Sequence, residues 1–295
     1  MELENLDKII KEITSTLVVD LTNKNKVVDE LTNILHSSVK NNIADNSKFG
    51  IAFSGGVDST LIAFLCKKFK KNFKLYSVGV GEKEDLIWSR KIATNLKIPI
   101  LAKNIEFDEA FEIIKKVTNL LNESHPVKVG IGCTLYSVFN LMKNDNMEHA
   151  VTGLGSDTIF CGFEKYRKAL ENGTIMEECL NGIKKIHEND VKRDLKIAKN
   201  FKLNLICPYL DKELIAYGMR IHPSLKIDNV EKKICLREAA FNMGLKREFA
   251  YRKKLAAQYG SGFDKVIGIF AKENGFKTKN EFLGSLLKKP SGKND

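Results

Sequence analysis

The chain has 295 residues, 43% of them hydrophobic and 29% charged, which is enough to bury a full core as one large domain or two small ones. No run of about 18 apolar residues appears, and the opening Met1-Glu2-Leu3-Glu4 is acidic, unlike the basic start of a secretory signal. A soluble cytoplasmic protein with no membrane partner is expected. The formal charge of +11 rests on 48 basic residues, of which only seven are arginine and whose lysines spread along the whole chain, so a nucleic-acid partner is argued against. A phosphate-rich substrate would benefit from the same field. The six cysteines lie far apart with no Cys-x-x-Cys pair, and the five histidines show no metal spacing, which speaks against zinc or iron–sulfur sites.

In chain order, residues 6–17 and 27–39 carry helix-period apolar positions. A buried strand is predicted at 49–53. It empties into Ser54-Gly55-Gly56, and the apolar run 61–65 then begins a helix. A strand, a small-residue turn and a helix N-terminus make a phosphate cradle, because glycines admit an anion to the backbone and free N–H groups attract it. Ser54, Ser59 and Thr60 add hydroxyls, and Asp58 is a carboxylate suited to holding Mg²⁺ against phosphates. The loop has neither the Gly-x-x-x-x-Gly-Lys nor the Gly-x-Gly-x-x-Gly fingerprint. It resembles instead the Ser-Gly-Gly-x-Asp-Ser loop of the ATP pyrophosphatase (PP-loop) superfamily. That resemblance implies cleavage of ATP between its α and β phosphates and adenylation of a substrate oxygen.

Further strands are predicted at 74–80, 98–105 and 150–152, with helices at 85–96, 107–121 and 135–142. The alternation implies an α/β fold built on a doubly wound parallel sheet, whose ligands bind beyond the carboxyl ends of the strands. The fourth strand runs into a second glycine loop, Gly153-Leu154-Gly155-Ser156-Asp157, where Asp157 could meet a magnesium ion from across the cleft. From residue 164 onward the pattern is helical with almost no strand signal. The best segments are 176–187, 212–221, 230–243 and 265–273, and the tail 288–295 is expected to be disordered.

Downstream blocks complete an ordered series: Cys207-Pro208-Tyr209-Leu210-Asp211, then Lys233-Ile234-Cys235-Leu236-Arg237, then Arg252-Lys253-Lys254. Together with the two loops they resemble the synthetase domain of asparagine synthetase, over residues 27–265. The resemblance implies a PP-loop, adenine nucleotide α-hydrolase-like fold with a helical C-terminal part. It also implies ATP and Mg²⁺ as cofactors and a role in amino-acid biosynthesis. Carried over, Ser54, Gly55, Gly56, Asp58 and Ser59 would hold pyrophosphate and Mg²⁺. Val78 and Gly79 would line the adenosine pocket, Gly155 would lie against the nucleotide, and Asp157 would be the second magnesium carboxylate. Lys233 would stabilise the adenylate and its transition state, and Lys254 would contact phosphate. For Asp211 a helix N-cap is preferred to a catalytic role. The organisation expected is an N-terminal helical extension, 1–24, before an asparagine synthetase-like domain, 25–295. Within that domain the nucleotide-binding core covers 47–165 and the helical part 166–285.

The chain departs from the family pattern. The amine-handling glutamate of the second loop is Leu154, and the following Asp-Glu is Asp157-Thr158. Leucine can neither take a proton nor orient ammonia; Glu164 or Tyr166, just past the loop, are candidate substitutes. With Glu2 after the initiator and about 45 residues before the first strand, the glutaminase domain of the family is expected to be absent. The expected partners are therefore a small-molecule carboxylate such as aspartate with ammonia or another amine; a separate glutaminase subunit and a homo-oligomer are compatible with the sequence. Two other readings stay open. One is a PP-loop sulfurtransferase acting on tRNA or a small molecule, with Cys133 or Cys161 relaying sulfur. The other is a non-catalytic nucleotide-binding subunit that regulates a partner.

Overall fold

A computed structural model describes residues 3–43, 48–81, 83–253 and 257–288, with the backbone alone for Glu4. Lys254 and residues 289–295, which hold most of the expected tail, lie outside the described residues.

Five parallel strands form one sheet: β1 Phe49–Ala52, β2 Phe73–Val80, β3 Ile100–Ile105, β4 His149–Val151 and β5 Asn204–Ile206, in the order β3-β2-β1-β4-β5. The order reverses beside β1, since the chain moves outward through β2 and β3 and then returns to place β4 on the other flank. Register pairs Phe49 with His149 and Ile51 with Val151, so the loops leaving β1 and β4 emerge level and adjacent. Such a reversal point opens a crevice at the carboxyl edge of the sheet. β5 was not signalled by its sequence: three residues are too few to show alternation, and pairing with β4 is what makes them a strand.

The helices are α1 Leu6–Ser15, α2 Lys24–Asn42, α3 Val57–Lys68, α4 Glu84–Leu96, α5 Phe107–Leu121, α6 Pro126–Asn144, α7 Ser156–Ile159 and α8 Glu164–Glu171. They continue as α9 Ile175–Lys184, α10 Lys192–Asn200, α11 Lys212–Arg220, α12 Ile234–Asn242, α13 Arg247–Ala250, α14 Ala257–Gly260, α15 Phe263–Glu273 and α16 Lys279–Leu286. They cover the sheet in two layers. Phe49, Ile51 and Leu75 point into a core shared with α2, α3, α9, α11 and α12, whereas Tyr76 and Val78 point into a second core with α5, α6, α10, α15 and α16. That alternation is the period-two signature of strands covered on both faces. The first helix joins the core as well, burying Leu6, Ile10 and Ile13.

Two helices start away from their expected positions. α6 begins at Pro126, nine residues before the predicted start, because Gly130 and Gly132 let it pack closely. A Cβ on either would come within 2.9 Å of Gln258 or of Leu121 and Val117. α12 begins at Ile234 rather than at residue 230. The Asp228 carboxylate accepts from the Val230 and Glu231 amides at 2.7 and 2.6 Å, Ile227 bridges to Lys232, and Lys233 has left-handed backbone, φ +60°. Asp211 caps α11 as expected, accepting from the Glu213 and Leu214 amides at 3.0 and 3.4 Å.

Candidate active site at the sheet reversal

The loop after β1 folds as its residue types dictate. Gly55 has φ +67°, a conformation that costs a residue with a Cβ, and it turns the chain into α3. The hydroxyls of Ser54 and Ser59 lie 3.3 Å apart, and Ser59 Oγ also accepts from the Ser54 amide at 3.3 Å. Asp58 stands in the first turn of α3, where the helix dipole tolerates its charge. Across the crevice, the loop after β4 turns on Gly155, φ +100°; a Cβ there would lie 2.6 Å from Leu210. Gly153 sits against Asp58, its absent Cβ 3.0 Å from the Asp58 Cβ, so glycine brings the two loops together.

A buried cation joins them. Lys233 Nζ donates to both oxygens of Asp58 at 2.7 Å and pairs with Asp157 Oδ1 at 2.7 Å. Its side chain is 7% exposed, against 21% for Asp58 and 42% for Asp157. Burial works to lower the lysine's pKa, but Asp157 and Asp58 outweigh it and hold the ammonium above its usual value. Ser156 Oγ donates to Asp58 Oδ1 at 2.5 Å, and Tyr209 Oη donates to the Asp58 carbonyl at 3.2 Å. Burial, with the two carboxylates nearby, pushes the Tyr209 hydroxyl well up, so it stays protonated as a donor.

Arg252 closes the other side. Its side chain is 3% exposed, Nη1 donates to the Ser54 carbonyl at 2.9 Å and Nη2 to Asp85 Oδ1 at 2.5 Å, while the guanidinium lies 5.3 Å from the Trp88 ring centre. The arginine therefore fixes the first loop from outside the helix that follows it. A cavity of about 410 Å³, lined by Lys83, Glu84, Asp85, Arg252, Lys253, Tyr259 and Gly260, opens beside it.

Ser54, Gly55, Gly56, Asp58, Ser59, Gly155, Asp157 and Lys233 thus come to one place. Val78 and Gly79 lie near the carboxyl end of the adjacent β2, where Val78 is buried and a Cβ on Gly79 would meet Leu86 of α4 at 2.9 Å. Four contributors were given no role from the sequence, although Ser156, Tyr209 and Arg252 stand within the quoted blocks. They are Ser156, Tyr209, Arg252 and Gly162, the last because a Cβ on it would strike both Asp157 and Lys233. Leu154 is half-buried against the core. Thr158 is buried, and its carbonyl accepts from the Tyr166 hydroxyl at 3.3 Å. Tyr166 is itself fully buried, its hydroxyl raised by burial, and Glu164 is exposed and paired with Lys232 at 3.0 Å. Neither presents a free base to the crevice. Cys133 and Cys161 are also fully buried, and burial raises the Cys133 thiol well above its usual value.

The profile of the family described as asparagine synthase matches residues 30–179 and 171–267. The chain is 30% identical to a Methanocaldococcus jannaschii protein named as a candidate asparagine synthetase (glutamine-hydrolyzing), over 88% of this chain and 54% of that protein. It is 25% identical to asparagine synthetase B (glutamine-hydrolyzing) of Escherichia coli, over 83% of this chain and 46% of that protein. The chain therefore spans about half the length of these curated relatives. Among solved structures, NMN synthetase from Francisella tularensis aligns over 92% of this chain and all of that one, at 14% identity and a TM-score of 0.34.

Proposed function

From the premise that this chain belongs to the asparagine synthase family, we propose that it is an ATP-dependent, AMP- and pyrophosphate-forming carbon–nitrogen ligase. It adenylates a small carboxylate such as aspartate, which ammonia or another amine then attacks. One observation carries this reading: carboxylates from the first turns of two different helices, Asp58 in α3 and Asp157 in α7, close on a single cation position beside a Gly-Gly turn.

That position suits a hard divalent ion. Both donors are carboxylate oxygens, and they already converge on one positive charge, the Lys233 ammonium. Asp58 and Asp157 would hold Mg²⁺, which would neutralise phosphate charge and fix the triphosphate. The amides and hydroxyls of Ser54, Gly55, Gly56 and Ser59 would grip the β and γ phosphates, with Lys254 as a further phosphate contact. Val78 and Gly79 would line the adenosine side, and Gly155 would let the nucleotide approach the backbone. With the departing pyrophosphate held, the α-phosphorus is left open to a carboxylate oxygen. With the two carboxylates taken by Mg²⁺, the Lys233 ammonium would turn to the charge that builds on the α-phosphate. No protein nucleophile is required, and the position of Leu154 supplies no base; the attacking amine arrives neutral.

Pyrophosphate release, measured with ATP, magnesium and a panel of carboxylates in the presence of ammonia or glutamine, tests the reading. Release that requires both a carboxylate and magnesium is expected. ATP binding without turnover on any member would favour a regulatory subunit instead.

A further inference from the structure

We propose that Cys161 and Cys179 are a reversible thiol–disulfide modification site whose closure by a peroxide unseats the Asp157 loop. Cys161 lies two residues beyond the end of α7 and Cys179 sits in α9, with their sulfurs 3.4 Å apart. A disulfide needs about 2.05 Å, so the sulfurs must approach each other and some backbone must yield.

The yielding part is already strained. Cys161 holds φ +57°, a left-handed conformation unusual for a residue with a Cβ. Its neighbour Gly162 lies against the charged pair, with no room for even a Cβ between it and Asp157 or Lys233, and its amide donates to the Asp157 carbonyl at 2.7 Å. Drawing Cys161 toward α9 therefore moves the backbone that touches Asp157 and Lys233. Cys235, two residues beyond Lys233, completes a group of three buried thiols beside the fully buried Lys226.

The two sulfurs are hydrogen-bonded, and either thiol can be the donor. Either can therefore attack first, with the other as the resolving thiol. One sulfur attacks a peroxide oxygen, the O–O bond breaks, and one water departs to leave a sulfenic acid. The second thiol then displaces the sulfenic oxygen as a second water, so two thiols and one hydrogen peroxide give one disulfide and two waters. The outer face of α9, at Glu177, Asn181 and Lys184, is exposed.

The cross-link stands apart from the ligase reading, while its effect on turnover rests on that reading. The full chain is treated with hydrogen peroxide under native conditions, digested without reduction and mapped by mass spectrometry. Hydrogen exchange across 157–162 is followed in parallel. The expected result is a peptide joined through Cys161 and Cys179, faster exchange at 157–162, loss of pyrophosphate release, and recovery of all three on reduction. Cys179→Ser, and Cys179→Ala should the serine variant not fold, should form no cross-link and keep slow exchange after peroxide. Oxidation that stops at sulfinic or sulfonic acid without the cross-link would overturn the proposal. So would equal loosening of 157–162 in the Cys179 variants. A cross-link with changed exchange in a protein lacking turnover would leave the pair standing and count only against the ligase.

Discussion

Lys233→Met isolates the charged centre of the site. The methionine fills nearly the same space, so its main effect is to remove an ammonium from between two carboxylates. Removing one partner from a fully buried ion pair costs about 3–5 kcal/mol, whereas a pair in water is worth about 0.2–1 kcal/mol. Lys233 and Asp58 are nearer the first case, being 7% and 21% exposed with two contacts at 2.7 Å; Asp157, 42% exposed, is nearer the second. A loss of about 3 kcal/mol is therefore expected in urea unfolding at pH 7.5. The pH choice follows from the shift: a lysine raised in the folded state stabilises below its unfolded pKa, near 10.5, and the contribution fades only as pH climbs through the folded value. In the variant the two carboxylates lose the ammonium that joined them, so magnesium should bind them and restore stability, by about 2.7 kcal/mol at a hundred times its Kd. Sodium chloride at matched ionic strength should not. A variant within about 0.5 kcal/mol of the parent, or one indifferent to magnesium, would refute the assignment of this position as a cation site.

Asp58→Ala and Asp157→Ala should each abolish pyrophosphate release in the coupled assay. Asp157→Ala should cost about 1 kcal/mol or less of stability because that carboxylate is partly solvated; unchanged turnover in both would count against the metal assignment. Gly162→Ala should reduce turnover by about a hundredfold or more, since its methyl must displace Asp157 or Lys233, and steady-state kinetics will show whether it does. Arg252→Lys should destabilise the first loop by about 3 kcal/mol in urea unfolding. A single ammonium cannot reproduce the two bonds to Ser54 and Asp85, and Asp85 would be left buried.

What could be read from the sequence was local. The first loop announced itself because strand, glycine turn, hydroxyls and helix start lie within a dozen residues, and Asp211 declared its cap through neighbours only two and three positions away. The features that stayed hidden depend on distant partners. Ser156 meets Asp58 across 98 positions, Lys233 meets it across 175, and Arg252 reaches Ser54 across 198. No period or propensity encodes such meetings; for Lys233 only the resemblance of its motif pointed to a role. Gly162 was hidden for a related reason. It acts by what it leaves out, and the space it frees is defined by Asp157 and Lys233, not by its own neighbours. The late start of α12 is a competition that composition favours wrongly, since the Asp228 turn and the left-handed Lys233 override a helix-compatible run.

The most direct test of the adenylation chemistry follows oxygen atoms. A carboxylate substrate labelled with ¹⁸O in its reacting carboxyl group is turned over with ATP and magnesium, and the nucleotide products are analysed by mass spectrometry. The account predicts AMP carrying one ¹⁸O, formed with pyrophosphate. Unlabelled AMP, or ADP with the label in orthophosphate, would contradict it.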